Sequence, residues 1–269
     1  MSLKHFLPSF RNRYRFVIKQ IEAITKENPC NKMLNLGTGE GDYDQALSAY
    51  TKLLIGSDIN KTDIALAQKI NGHVKNLSYE VHDALSSNFK DQHFDIVVCT
   101  EVIEHVGDPN ALLKEISRIL RPGGYAVLTF PSLSFPFTYD PINYAAQKLG
   151  WKMPLIHQGA YSFGHDYLID FDEFSKQAKG QGFQIKTSTP IGGYLIGLLE
   201  IYWTGIFQSM FKSNKKNLDA STDHALTIRP TSSKVPALAF ITDIVIGIDR
   251  RFFTGMRHSV GMGVVLEKI

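Results

Sequence analysis

The residue types able to do chemistry gather in a glycine-rich turn, in acids that close apolar runs, and in a histidine beside two glutamates. Gly37, Gly39 and Gly41 lie in MLNLGTGEGD, directly after the apolar residues Met33, Leu34 and Leu36. Glycine accepts positive φ and lets a ligand approach the backbone. The N–H groups of such a turn, and of a helix start behind it, favour a carboxylate or another electron-rich group. A purely structural turn uses glycine too, so the triplet alone decides nothing. The next apolar run, KLLIGSDI, ends on Asp58, 58 − 37 = 21 positions after the first glycine. Nucleotide-binding α/β folds place there the acid that grips ribose hydroxyls, although an N-cap for the following helix would also want an acid. The sixth position of the glycine pattern is Asp42, where a dinucleotide fold needs glycine or alanine, so NAD is disfavoured.

Glu101, Glu104 and His105 form E-x-x-E-H immediately after the apolar run Phe94 to Cys99. A free imidazole titrates near neutrality, and His105 is placed to take a proton from a hydroxyl acceptor. A packing or loop-bridging histidine is the plain alternative. Asp83, in HDAL, closes another apolar run and is otherwise a turn acid.

Elements must hold these residues in place, and the pattern supplies them. Strands are expected at Met33–Leu36, Lys52–Ile59, Leu77–His82, Phe94–Cys99 and Tyr125–Phe130. The unbroken FDIVVC run suits a central parallel strand buried on both faces. Helices fit Tyr14–Ile24, Tyr43–Tyr50, Lys61–Ile70, the Leu112, Leu113, Ile116, Leu120 face, and Asp170–Lys179. Residues 1 to about 10 read as a loosely held arm, and Arg121-Pro122-Gly123-Gly124 as a stop after a helix. Alternation of strand and helix predicts a parallel sheet covered on both faces.

Composition bounds the remaining possibilities. The 269 residues are 43% hydrophobic and 20% charged, enough for a sizeable core in one domain with insertions. A net charge of +3 does not of itself suggest a nucleic-acid partner. Two cysteines, Cys30 and Cys99, make no disulfide framework and suit a reducing compartment. The charged first stretch lacks the apolar core of a secretory signal, so a cytoplasmic protein is expected.

The order LNLGTGEG, SDI, HDAL, FDIVVCTEVIEHV, LRPGG resembles a class I S-adenosylmethionine-dependent methyltransferase, nearest to the branch containing the ubiquinone-biosynthesis O-methyltransferases. The likeness is strong over about residues 30 to 135 and weaker through GHDYLIDFDEFSKQAKGQGF. It implies a Rossmann-like seven-stranded, mostly parallel sheet with an antiparallel last strand and helices on both faces, with Phe183–Thr187 suiting the sixth strand and Val260–Glu267 the seventh. It also implies S-adenosylmethionine as methyl donor. Gly37, Gly39 and Gly41 would cradle its amino-acid part. Asp58 and Ile59 would meet the ribose, Asp83, Ala84 and Leu85 the adenine, and Thr100 would complete the set. His105 and Glu101 become the candidate catalytic pair. A divalent metal, magnesium or manganese, held by Glu101, Glu104, His105 and His165, is a further implication of the resemblance; His157 has no counterpart there. Such an ion would hold vicinal oxygens and acidify an acceptor hydroxyl.

Two insertions depart from the family pattern. One covers about 131–164; the other, about 190–257, separates the last two strands by about 70 residues instead of a short hairpin. From Tyr194 to Phe211 the one charge is Glu200, on a stripe with Gly197, Thr204 and Gln208; Lys212, Lys215 and Lys216 follow, and Ala237–Ile248 forms a second apolar run. Neither run reaches the ~20 apolar residues of a bilayer span free of charge or glycine. A cap of packed helices over the acceptor, a homodimer face, or a peripheral membrane contact through 194–248 are the expectations. The function expected is methyl transfer to a small, lipophilic or aromatic acceptor, at oxygen. An RNA 2′-O-methyltransferase and a cofactor-binding scaffold without catalysis are the alternatives; mild charge and apolar insertions oppose the first, and the intact glycines, Asp58 and His105 oppose the second.

Overall fold

The computed structural model describes residues 2–151, 168–201, 232 and 234–269. Seven strands form one sheet in the order β3-β2-β1-β4-β5-β7-β6. They are β1 (Lys32–Leu36), β2 (Leu53–Asp58), β3 (Leu77–Val81), β4 (Phe94–Thr100), β5 (Leu120–Pro131), β6 (Phe183–Ile191) and β7 (Gly261–Lys268). The first five run parallel, and β7 is antiparallel to both β5 and β6, between which it lies. β4 is buried along its whole length, as its apolar run demands.

Helices cover both faces of the sheet. On one side α4 (Pro109–Ile119) and α7 (Phe171–Gly180) bury Leu112, Leu113, Ile116 and Phe174 against Leu34, Val97, Leu128 and Phe183. On the other, α1 (Pro8–Glu27) sets Tyr14, Phe16, Val17 and Ile21 against Met33, Ile96, Val127 and Val265. The close approach of α1 depends on Gly263 of β7, where a Cβ would lie 2.5 Å from the Phe16 ring. The remaining named helices are α2 (Asp44–Leu47), α3 (Lys61–Asn71), α5 (Phe135–Tyr139), α6 (Pro141–Lys148) and α9 (Phe240–Phe252). Residues 194–201 are helical and are called α8.

Three local expectations are corrected. The N-terminal arm is ordered: Leu3–Phe6 forms a 3-10 turn, His5 is fully buried against the Phe10 and Tyr14 rings, and Lys4 pairs with Glu40 and Asp42. The helix expected over Tyr43–Tyr50 is only one α turn, Asp44–Leu47, continued by a 3-10 turn at Ser48–Tyr50. The helix before RPGG does stop, α4 ending at Ile119, but β5 begins at Leu120 instead of Tyr125 and absorbs the glycines as a register shift against β4, with Gly123 at φ 71°.

The described parts of both insertions leave the sheet at one edge. Pro131 of β5 pairs with Gly261 of β7, which pairs with Ile191 of β6, so α5, α8 and the segment entering β7 start from the C-terminal ends of the parallel strands. Phe135, Tyr139, Ile201 and Val260 pack together there. The two ends of the long insertion are clasped by Asp249 of α9, whose carboxylate accepts the N–H groups of Gly193, Leu195 and Ile196 at the start of α8. That is an N-cap supplied from 50-odd residues away, and it satisfies donors a helix start leaves open. Among the described residues no helix is long and apolar enough to cross a membrane.

Candidate active site

The glycine turn is held from beneath by a buried carboxylate. Asp44 accepts from Asn35 Nδ2 at 2.6 Å, Thr38 Oγ1 at 2.6 Å and Tyr79 OH at 2.8 Å, so a polar hub with no exposure fixes the turn. Burial pushes the Asp44 carboxyl above its ordinary range, against the pull of those three donors. Gly37, Gly39 and Gly41 all have positive φ, at 76°, 53° and 78°. A Cβ at Gly37 would strike Val102 Cγ2 at 2.2 Å, and one at Gly41 would meet Asn71 and Tyr79 below 3 Å. A Cβ at Gly39 would find no atom within 4 Å. The tip of the turn therefore presents backbone to open space while its flanks are packed against protein.

Asp58 stands at the rim of that space. Its Oδ2 accepts the Gly39 N–H at 2.8 Å and its Oδ1 the Asn60 N–H at 2.9 Å. The N-cap of α3 is Asn60, which accepts from Thr62 N, so the capping alternative for Asp58 is not realised. Ile59, beside it, is 68% exposed, a cost that an apolar face of a ligand would relieve. Asp83 is exposed and its Oδ1 holds the Leu85 N–H at 2.8 Å, with Ala84 and Leu85 half-buried against the core. Thr100 ends β4, buried and paired with Thr129 of β5. An open backbone turn with a carboxylate and an exposed apolar residue at its rim fits the amino-acid and ribose parts of S-adenosylmethionine.

The E-x-x-E-H residues do not start a helix; Ile103–His105 is a single 3-10 turn, followed by α4 with Asp108 as N-cap. Glu101 takes φ 53°, rare outside glycine, and is pinned by its N–H to Thr129 O at 2.9 Å and by Thr129 Oγ1 donating to Oε1 at 2.9 Å. Its Oε2 lies 3.4 Å from Arg13 Nη1. Glu104 is fully buried with no hydrogen bond to either carboxylate oxygen. Burial first, and then the Glu101 carboxylate, push its pKa up to about 9. The His105 ring is half-exposed, with Nε2 3.7 Å from Glu104 Oε1.

This geometry corrects the metal expectation. Glu101 is engaged by Arg13, and Glu104 favours its neutral acid form, a poor ligand for a hard cation. Among the described residues no group of three or more His, Cys, Asp or Glu side chains converges. His157 and His165 lie outside the described residues, as do Thr204, Gln208 and the lysines at 212, 215 and 216.

Three residues enter the site unannounced. Arg13, on α1, faces Glu101, Glu104, Glu200 and the Tyr43 hydroxyl, and these negative neighbours outweigh its burial and raise its pKa. Tyr43 is buried, and desolvation raises its phenol pKa despite Arg13. Glu200 of α8, also buried and raised by desolvation, accepts the Ser9 N–H at the start of α1. A helix before the sheet and a helix from the insertion thus meet beside the end of β4.

Comparisons with known proteins bear on the fold and the family. Residues 34–128 match the family described as "Methyltransferase domain". A ubiquinone biosynthesis O-methyltransferase from Coxiella burnetii is 28% identical over 185 residues, 66% of this chain and 72% of that protein. Among solved structures, the [4+2]-cyclase SpnF superposes with a TM-score of 0.60 at 12% identity, covering 94% of this chain and 79% of that one. A phosphoethanolamine N-methyltransferase of Haemonchus contortus, solved with S-adenosylhomocysteine, gives 0.56 at 18% identity, over 93% and 53%. At these identities the structural likeness speaks for the fold alone, and the fold hosts more than one reaction.

Proposed function

Because the chain is a class I S-adenosylmethionine-dependent methyltransferase, akin to the ubiquinone-biosynthesis O-methyltransferases, we propose that it methylates oxygen on a small, lipophilic or aromatic acceptor. One observation carries the proposal: a single short loop joins the glycine turn to the candidate base. Val102 packs on Gly37 of the cofactor turn, and three residues later His105 stands half-exposed at the end of β4. The names of the curated relatives support oxygen as the acceptor atom.

When bound, S-adenosylmethionine supplies an electrophilic methyl on a sulfonium. The turn at Gly37, Gly39 and Gly41 receives its amino-acid end, Asp58 and Ile59 its ribose, and Asp83, Ala84 and Leu85 its adenine, with Thr100 at the strand end. His105 takes the hydroxyl proton. Arg13 holds Glu101 away from the acceptor oxygen, and buried Glu104 presents an acid O–H towards the histidine side of the loop. The described parts of the two insertions cap the acceptor and exclude water; support comes from α5 and α8, which start at this edge and bury Phe135, Tyr139 and Ile201 together.

Labelled methyl transfer to catechol, with aniline as the nitrogen-bearing comparator, tests the reading. Catechol should be methylated, and His105→Ala should slow transfer roughly 10²–10⁴-fold with S-adenosylmethionine binding by calorimetry unchanged. Asp58→Ala should weaken that binding by roughly 2 to 4 kcal/mol. Methylation of aniline but not catechol would rule out the oxygen assignment.

A further inference from the structure

Helix α9 has two sides with opposite demands. Its inner side buries Thr242, Ile246 and Asp249, and Asp243 ties it to Arg11 and Arg15 of α1. Its outer side carries Leu238, just ahead of the helix, with Ile241, Ile244, Ile248 and Phe252, each between 44% and 71% exposed. These positions recur at three- and four-residue intervals, so they form one stripe along the helix. The stripe broadens at its C-terminal end, where Phe253 and Met256 are also exposed. Among the described residues nothing covers this stripe, and one of this size is unusual on a protein that meets only water.

The charges around the stripe are of one sign. Arg250, Arg251 and Arg257 are all exposed, and the Arg251 guanidinium lies over the Phe252 ring, 5.5 Å from its centroid. The two acids of α9 do not answer them. Asp243 faces inward to Arg11 and Arg15, while Asp249 is buried on the Gly193, Leu195 and Ile196 N–H groups. The helix therefore shows solvent large apolar side chains and arginine, and both of its carboxylates are engaged by other residues.

We propose that this face of α9 lies on an anionic lipid surface, with Ile241, Ile244, Ile248 and Phe252 in the acyl boundary and Arg250, Arg251 and Arg257 among the headgroups. An in-plane amphipathic helix gains from both terms at once, apolar burial and attraction to anionic lipid. Arginine suits the boundary because its apolar stem stays in the lipid while the guanidinium reaches phosphate. A second copy is disfavoured by the same charges, since an isologous dimer across this face sets the face's arginines against their own copies. The proposal does not depend on the identity of the methyl acceptor.

Co-sedimentation of the full chain with vesicles tests it, comparing phosphatidylcholine alone with phosphatidylcholine plus phosphatidylglycerol. Binding is expected to the mixed vesicles and to weaken with added salt. Each arginine removed should lower partitioning about fivefold, the equivalent of about 1 kcal/mol. The triple Arg250→Gln, Arg251→Gln, Arg257→Gln variant should therefore bind about a hundredfold less, and Ile244→Glu with Ile248→Glu should abolish binding. Both variants should still bind S-adenosylmethionine, which shows that they fold. No binding to the mixed vesicles, equal binding to both kinds, or binding that survives both variants would overturn the proposal. So would sedimentation velocity showing a dimer that Ile244→Glu dissociates, because the face would then belong to a second copy.

Discussion

Glu104 is the residue whose environment is most at odds with its type. A carboxyl with no exposure and no hydrogen bond is costly to ionise, and its pKa rises to about 9. The sign of the pH effect follows. The folded pKa lies above the unfolded one, so the contribution to stability is complete below the unfolded value and is lost as pH climbs towards the folded value. Glu104→Gln removes that titration. It should melt higher than the parent at about pH 8, by the equivalent of roughly 1 to 3 kcal/mol, with the gap closing at about pH 5. Thermal melts of both proteins across that range check it, and parallel curves would show that Glu104 is ionised in the fold. At this scale the sequence was legible where a motif has fixed spacing, as in Gly37, Gly39, Gly41 and Asp58. Arg13 was not read from it, though a signal existed. It stands four residues before Val17 and eight before Ile21, on the buried stripe of α1, where an arginine needs a partner.

Among the elements, α1 does more than cover the sheet. Its first turn takes Glu200 from α8, Arg11 and Arg15 reach Asp243 on α9, and Arg13 meets Glu101 at the end of β4. The 3-10 turn before it sets Lys4 on Glu40 and Asp42 of the glycine turn. These contacts explain why the first ten residues are ordered although their sequence reads as an arm: the partners of Ser2, Lys4 and Ser9 are about 40 to 190 positions away. Local pattern carries no trace of such pairings. Docking of α1 rests on the absence of a side chain at Gly263. Gly263→Val should push Phe16 off the sheet and cost roughly 1 to 3 kcal/mol of stability, measured by urea unfolding. Gly39→Ala, which meets open space, should leave the clash out and show only the strain of positive φ.

For the whole molecule, the alternation of strands and helices was enough to predict a parallel sheet and the approximate limits of its first five strands; the last two were placed through the family resemblance. The β6–β7 pairing was legible only through the family pattern, because about 70 residues intervene. What the alternation could not convey was strand order, which depends on where each crossover lands. β7 follows the other six strands in the chain, yet it lies inside the sheet, with β5 on one side and β6 on the other. Its Lys268 ammonium donates to the carbonyls of Ser117 and Leu120 at the end of α4. During synthesis, then, β5 and β6 must wait as two bare strand edges while the whole insertion emerges between them and their shared partner. The cell meets a half-built sheet for the time that insertion takes to translate, and in that interval the two open strands are the part of the nascent chain most exposed to mispairing.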